Sequence, residues 1–398
     1  MPLDPSFRPE ARGLYVAVEA LGREHDAADS ALPSELPESG VGEEGALLQL
    51  APHVLGGACR LDRPDMLAHM DPPTPWLTWA LTLWNARLNQ NLLHPATAPF
   101  ARDAEHRVVR WLAPAFGMTG GHMTPGSTLA NLTALWVARD AAGARRVVAS
   151  EAAHLSIRKA AHVLGMKFEA LPTDQQQRLD PAGSGDLADA CLVLTAGTTI
   201  AGAIDPLTPP FRAAWTHVDA AWAGPLCLSN RYRERLAGIE CADSVAVSAH
   251  KWLFQPKDSA LVFFRDHERA SAALSFSGGY LAAANVGLAG SHGAMAVPLL
   301  GLLLAWGRSG LAQRIERCMA NAQRLADAIE SSSELELFAP MATGVTVFRG
   351  QSAGARERIA QLVPATFTTA RIGAESWTRC VSANPLADMD LILGRLGL

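Results

Sequence analysis

Between Arg146 and Phe264 the chain repeats one pattern, a short apolar run that breaks off at a polar residue. Arg146-Val-Val-Ala-Ser150 leads to His154, and Ala190-Cys-Leu-Val-Leu-Thr195 leads to Thr198. Trp215-Thr-His-Val-Asp219 ends on its own aspartate, and Ser244-Val-Ala-Val-Ser248 leads to Lys251. Ala260-Leu-Val-Phe-Phe264 adds a fifth run, read as a return hairpin. Apolar runs this short are strands of a buried sheet, and the helical stretch Glu151 to Gly165 lies between two of them. The alternation predicts an α/β domain with a mainly parallel sheet. In such sheets ligands sit beyond the carboxyl ends of the strands, where all four polar residues fall.

Lys251 is the most telling of the four. It follows an apolar run, stands beside His250 and is capped by Trp252. Poor solvation disfavours the ammonium form and leaves a nucleophilic amine. The chemistry that most often needs such an amine is a Schiff base with pyridoxal phosphate. Taken alone, a lysine at a strand end could equally turn to solvent. That cofactor also needs an anion cradle, a carboxylate at its pyridine nitrogen and a flat group against its ring. Gly120-Gly-His-Met-Thr-Pro-Gly-Ser-Thr128, feeding a helix Leu129 to Arg139, presents N–H groups and hydroxyls to an anion, although Ser127 or Thr128 could also be an ordinary N-cap. Asp219 supplies a carboxylate and His154 a flat ring.

Around this centre the chain divides into an N-terminal helical and dimerisation segment, 1–85, a large cofactor-binding domain, 86–305, and a small C-terminal α+β domain, 306–398. The first contains a helix Glu10 to Glu24, a Pro/Gly/Glu-rich linker at 33–45 and an irregular stretch at 46–70. A proline-fixed turn, His69-Met-Asp-Pro-Pro-Thr-Pro75, precedes a helix bearing Trp76, Trp79 and Trp84, suited to core or dimer packing. A further helix runs from Ala104 to Phe116. After the Gly-rich segment 277–293 come a buried helix, 294–306, an amphipathic helix, Leu311 to Ser331, strands at Thr343 to Arg349 and Ser376 to Ser382, and a helix Leu386 to Leu396.

Composition excludes several partners. Charged residues make up 18% and the net charge is −5, which gives no reason to expect nucleic acid or an anionic membrane. The longest apolar run, Ala294 to Trp306, is too short to span a bilayer. The N-terminus carries acidic residues and prolines in place of a signal sequence. Six scattered cysteines without a CxxC pair read as reduced thiols of a cytoplasmic protein, with no metal site. There is no GxGxxG after the first strand and no P-loop, so a nucleotide-binding Rossmann protein is set aside.

The motifs resemble those of the group II pyridoxal-phosphate-dependent amino-acid decarboxylases, of fold type I, over residues 65–398. Thr124-Pro-Gly-Ser-Thr-Leu-Ala-Asn131 is similar to the family's phosphate turn, and Ala153-His-Leu-Ser-Ile-Arg-Lys-Ala-Ala161 to its ring-stacking motif. Gly197-Thr-Thr199, His217-Val-Asp-Ala-Ala221, Ser248-Ala-His-Lys-Trp252 and Arg379-Cys-Val-Ser-Ala-Asn384 follow in the family's order. The resemblance implies a Schiff base on Lys251, Asp219 at the pyridine nitrogen and His154 stacked on the ring. Gly126, Ser127, Thr128, Ser248 and His250 would hold the phosphate, with Thr198 and Ala221 flanking the ring. His69, Asn91, His292 and Arg379 fall on the substrate side. It also implies a homodimer with sites at the subunit interface, and decarboxylation of an L-amino acid to its amine.

Three departures bear on the reaction. The phosphate turn has Pro125, Ser127 and Leu129 where the family usually has Ser, Gly and Glu. The loop Leu281 to Gly290 is short and lacks the tyrosine that often protonates the substrate carbon, with Tyr280 just before it. His292 stands where an arginine is common, and an imidazole could donate that proton. An aminotransferase, a C–C lyase or aldolase, or an oxidative-deaminating enzyme on the same scaffold therefore stays open. A non-catalytic scaffold subunit would be expected to lack Lys251 or Asp219, and both are present. The lack of an obvious basic pocket leans the substrate toward an apolar or aromatic side chain.

Overall fold

The structure is a computed structural model, and it describes residues 11–398 except 27, 29, 30, 184, 209–211, 280, 282 and 283. Tyr280, Glu10 and the acidic, proline-bearing start lie outside the described residues. Residues 1–60 and 61–398 form two compact units. In the first, helix α1 (Ala11–Leu21) is followed by α2 (Gly42–Ala51), which runs on into a π-helical turn, Pro52–Gly56. The stretch expected to be irregular from residue 46 is thus helical at its start.

In the second unit, α3 (Trp76–Leu88) and α4 (Pro99–Leu112) precede β1 (Gly120–Thr124) and α5 (Ser127–Ala142). Then follow β2 (Arg146–Ser150), α6 (Leu155–Val163), β3 (Lys167–Leu171), β4 (Leu187–Thr195), β5 (Ala213–Asp219), β6 (Ser244–Ser248), β7 (Ala260–Phe264) and α7 (His267–Leu274). The seven strands lie in the order β1-β7-β6-β5-β4-β2-β3. Strands β6, β5, β4, β2 and β3 are mutually parallel. Strand β7 runs against β6, and β1 runs against β7. Two reversals restore the direction, so β1, β2, β4, β5 and β6 all end at one edge.

Alternate residues of the central strands enter separate cores. Val148, Leu192, Leu194, Val218, Val247 and Phe263 face one layer, with residues of α4 and of a long later helix. Val147, Cys191, Val193, Ala246, Val262 and Phe264 face the other, with α5, α6 and α7. This two-sided burial is why the strands read as apolar runs.

A two-stranded ribbon, β8 (Ser275–Phe276) and β9 (Asn285–Val286), precedes α8 (Ala296–Glu330). The two helices expected at 294–306 and 311–331 are joined in α8 without a loop, and the backbone breaks only at Gly307, with φ 60° and ψ −175°. The C-terminal part comprises β10 (Leu335–Leu337), β11 (Val345–Gly350), α9 (Ala353–Leu362), β12 (Thr368–Ile372), β13 (Glu375–Val381) and α10 (Met389–Leu396). Its antiparallel sheet has the order β10-β11-β13-β12. Among the described residues no helix is long and apolar enough to cross a membrane.

Candidate active site

The turn after β6 carries Lys251. Its ammonium has no hydrogen-bond partner among the described residues. Burial pushes its pKa down, against the pull of the Asp219 and Asp71 carboxylates. The turn is held from behind: the Trp252 and Trp222 rings pack at 4.1 Å between centroids, and both are fully buried. Trp222 Nε1 donates to the Thr343 carbonyl at 2.6 Å. The lysine therefore leaves the sheet on an anchored turn.

Asp219, the last residue of β5, is buried. Its carboxylate accepts from Asn131 Nδ2 on α5 at 2.9 Å and from the Ala221 backbone N–H at 3.1 Å. His154 caps α6, and its Nδ1 accepts from the Ser156 backbone N–H. Burial lowers its pKa, with Asp219 opposing and Lys251 assisting. His154, Asp219 and Lys251 are thus within mutual electrostatic reach, as the strand ends imply.

The anion turn is half strand, because Gly120–Thr124 forms β1. Helix α5 begins at Ser127, two residues earlier than the sequence pattern suggests. Gly126 stands at its N-cap with φ 93°, a conformation that favours glycine, and no side chain caps the helix among the described residues. Neither Ser127 nor Thr128 is the cap, so both hydroxyls and the first N–H groups are left for a ligand. Ser248 Oγ is buried without a partner. His250 Nδ1 donates to the Ser259 carbonyl at 3.0 Å. Thr198 is buried in the turn after β4, where its hydroxyl accepts from the Ala203 N–H.

The substrate-side candidates separate. Arg379 is buried, donates to the Thr199 carbonyl at 2.7 Å and lies within reach of Lys251's charge. His69 is exposed. His292 lines a cavity of about 140 Å³ together with Leu93, His122, Thr124 and Leu129, and Asn91 directly precedes Leu92 and Leu93 of the same lining. There Asn91 donates to Ser291 Oγ at 3.1 Å, and His292 Nδ1 donates to the Gly290 carbonyl. Sequence reasoning assigned no role to Asp71, Lys257, Asn131 or Ser156. Asp71 pairs with Lys257, and both act on Lys251's charge. An ion pair therefore lies within electrostatic reach of Lys251.

A known family matches residues 30–351, described as the pyridoxal-dependent decarboxylase conserved domain. The chain belongs to the pyridoxal-dependent decarboxylase family. As a member it is a pyridoxal-phosphate-dependent carboxy-lyase acting on amino acids. Among its relatives, an L-2,4-diaminobutyrate decarboxylase of Rhizobium meliloti (strain 1021) is 33% identical over 356 residues, 80% of this chain and 71% of that one. An aspartate 1-decarboxylase of Aliivibrio fischeri (strain ATCC 700601 / ES114) is 29% identical, over 76% of this chain and 67% of its own length. The fold matches Oryza sativa TDC solved with PLP and tryptamine, with a TM-score of 0.85 at 21% identity, covering 100% of this chain and 99% of that one.

The residues of this decarboxylase fit pyridoxal phosphate. An uncapped helix end and an orphaned buried hydroxyl, Ser248, stand unanswered at one edge of the sheet. A buried hydroxyl left unpaired costs about 1–3 kcal/mol, so a phosphate group there would relieve a real deficit. A buried carboxylate and a poorly solvated amine complete the donor set.

Proposed function

We propose that this decarboxylase converts an L-amino acid to its amine and CO₂, with Lys251 holding the cofactor as a Schiff base. The observation that carries the reading is the Lys251 amine, unpaired and destabilised as an ammonium, within reach of Asp219 and His154. When bound, the cofactor supplies an electron sink for the bond broken at the substrate's α-carbon. The protein's part is placement. Asp219 would hold a proton at the pyridine nitrogen, and His154 would lie against the ring. Ser127, Thr128, Ser248 and His250 would receive the phosphate, while Thr198 and Ala221 would flank the ring. Burial keeps the Lys251 Nζ ready to give up its proton. Borohydride reduction of the protein with pyridoxal phosphate, followed by peptide mapping, should tag Lys251. Lys251→Ala should bind without a reducible bond and lose turnover. A tag on another lysine overturns the reading.

The substrate we infer carries a charged side chain. Asp71 and Lys257, whose charges act on Lys251, support this, as do relatives named for diaminobutyrate and aspartate. CO₂ release should be faster with 2,4-diaminobutyrate or aspartate than with tryptophan or tyrosine. Asp71→Asn should raise KM for a cationic substrate, and Lys257→Met for an anionic one. Fastest release from an aromatic amino acid would defeat this assignment. Product analysis in the same assay separates amine and CO₂ from the keto acids or aldehydes of the rival reactions.

A homodimer is part of the proposal, supported by the exposed apolar face of α3, with Trp76, Trp79, Leu83, Trp84 and Leu88. Asn91 and His292 would serve the substrate side in that dimer. Six free thiols, four of them buried, support a reducing, cytoplasmic setting.

A further inference from the structure

One chain of hydrogen bonds runs behind the site and ends on two of its groups. Trp215 Nε1 donates to Ser244 Oγ at 2.8 Å, and Ser244 Oγ lies 2.9 Å from His217 Nδ1. His217 Nε2 lies 3.0 Å from Asn131 Oδ1. Asn131 Nδ2 then reaches both Asp219 Oδ2, at 2.9 Å, and Ser156 Oγ, at 3.0 Å. Ser156 Oγ lies 2.8 Å from His154 Nδ1. Trp215, Ser244, His217, Asn131, Ser156 and Asp219 are all buried, so water does not compete for these bonds.

The Asp219 carboxylate fixes the proton positions on the branch that reaches His154. A carboxylate oxygen accepts, so the Asn131 amide must turn its NH₂ toward Asp219. Its second N–H then goes to Ser156, and its oxygen is left for His217, which must carry a proton on Nε2. Burial disfavours a charged His217 ring, and its Nδ1 faces both the Ser244 hydroxyl, at 2.9 Å, and the Ser244 carbonyl, at 3.2 Å. On the other branch the Ser156 hydroxyl, having accepted from Asn131, has its own proton for His154 Nδ1. The Ser156 backbone N–H points at the same nitrogen from 3.2 Å, the longer of the two contacts. His154 Nδ1 is therefore an acceptor, and a neutral His154 carries its proton on Nε2.

We propose that Asn131 is a positioning residue that aims the Asp219 carboxylate directly and, through the Ser156 hydroxyl, sets the tautomer in which His154 meets the ligand. This rests on the site reading above, in which Asp219 and His154 are the groups on the cofactor ring. One amide thus coordinates the group at the ring's edge with the group on its face. Neither a surface ion pair nor packing alone would couple them in this way.

The test uses cofactor-free protein labelled with ¹⁵N-histidine. Long-range ¹H–¹⁵N correlation should show wild-type His154 as a single tautomer with its proton on Nε2. Ser156→Ala and Asn131→Ala should each give a mixture, and Ser156→Thr, which restores the hydroxyl, should recover the single form. Asn131→Ala should also weaken pyridoxal phosphate binding about tenfold, since a buried carboxylate loses a donor. Should Asn131→Ala fail to fold, the two Ser156 variants decide the matter. A wild-type His154 protonated on Nδ1, or a Ser156→Ala spectrum identical to wild type, overturns the proposal. A borohydride tag away from Lys251 would instead defeat the site reading and leave the tautomer result standing.

Discussion

Asp219 shows how much one residue's surroundings decide. Its carboxylate is buried and takes two hydrogen bonds from its own protein, yet no cation pairs with it at bonding distance among the described residues. A buried carboxylate without a partner charge is costly, and a protonated pyridine nitrogen is a fitting partner. Asp219→Asn keeps the shape and removes the charge. It should lower kcat at saturating cofactor by at least about a hundredfold, as loss of a preorganised electrostatic group does. Steady-state kinetics at several cofactor concentrations would check this. Lys251, His154 and Asp219 were legible in the sequence because each breaks an apolar run. Asn131 and Ser156 were not, although both lie inside quoted motifs. A polar residue within a helix looks the same whether it faces water or a neighbouring strand.

At the level of elements, the strands that the sequence pattern missed share a property. β1 and β3 are the two edges of the large sheet, and β10 and β12 are the two edges of the small one. Central strands such as β6 and β7 are buried at every position, whereas β3 is buried only at Leu171 and is exposed at both Lys167 and Ala170. An edge strand has one neighbour and a partly wet surface, so it lacks the unbroken apolar run. The same element scale explains how the small sheet supports the lysine. Gly344, just before β11, has φ 75°, and a Cβ there would lie 2.8 Å from the Trp252 ring. Gly344→Val should push Trp252 off Trp222 and cost about 2–3 kcal/mol, through overpacking and a forbidden φ. Thermal unfolding would show the loss. Titration with pyridoxal phosphate should show weaker binding, although residue 344 is not among the cofactor-binding residues.

Over the whole second unit, the segment Leu61–Met70 straps the C-terminal sheet. Leu67 donates to the Thr366 carbonyl at 3.1 Å and accepts from the Val381 N–H at 2.7 Å. Asp65 sits between Arg63, at 2.8 Å, and Arg395 of α10, at 2.6 Å. Hydrogen bonds from Arg63, then Arg395, hold the Asp65 carboxyl down to about 2, against its burial. A depressed acid stabilises the fold above its unfolded pKa and loses that contribution as pH falls through the folded value. Asp65→Asn should therefore lower the unfolding free energy at pH 7 by about 1 kcal/mol, because the carboxylate is buried while both guanidinium groups are partly exposed to solvent. The gap from wild type should narrow as pH drops from about 4 toward about 2. Chemical denaturation across that range would reveal it. The sequence read this strap as irregular, because its partners lie some three hundred residues away and leave no local period.

The strand order also has a consequence for biosynthesis. β1 is made early, yet its one neighbour in the sheet is β7, which ends at Phe264. A nascent polypeptide that has left the ribosome only as far as β6 holds five parallel strands, but β1 still lacks its one partner in the sheet. The strand that leads into the glycine turn can therefore join the sheet only after translation has passed β7.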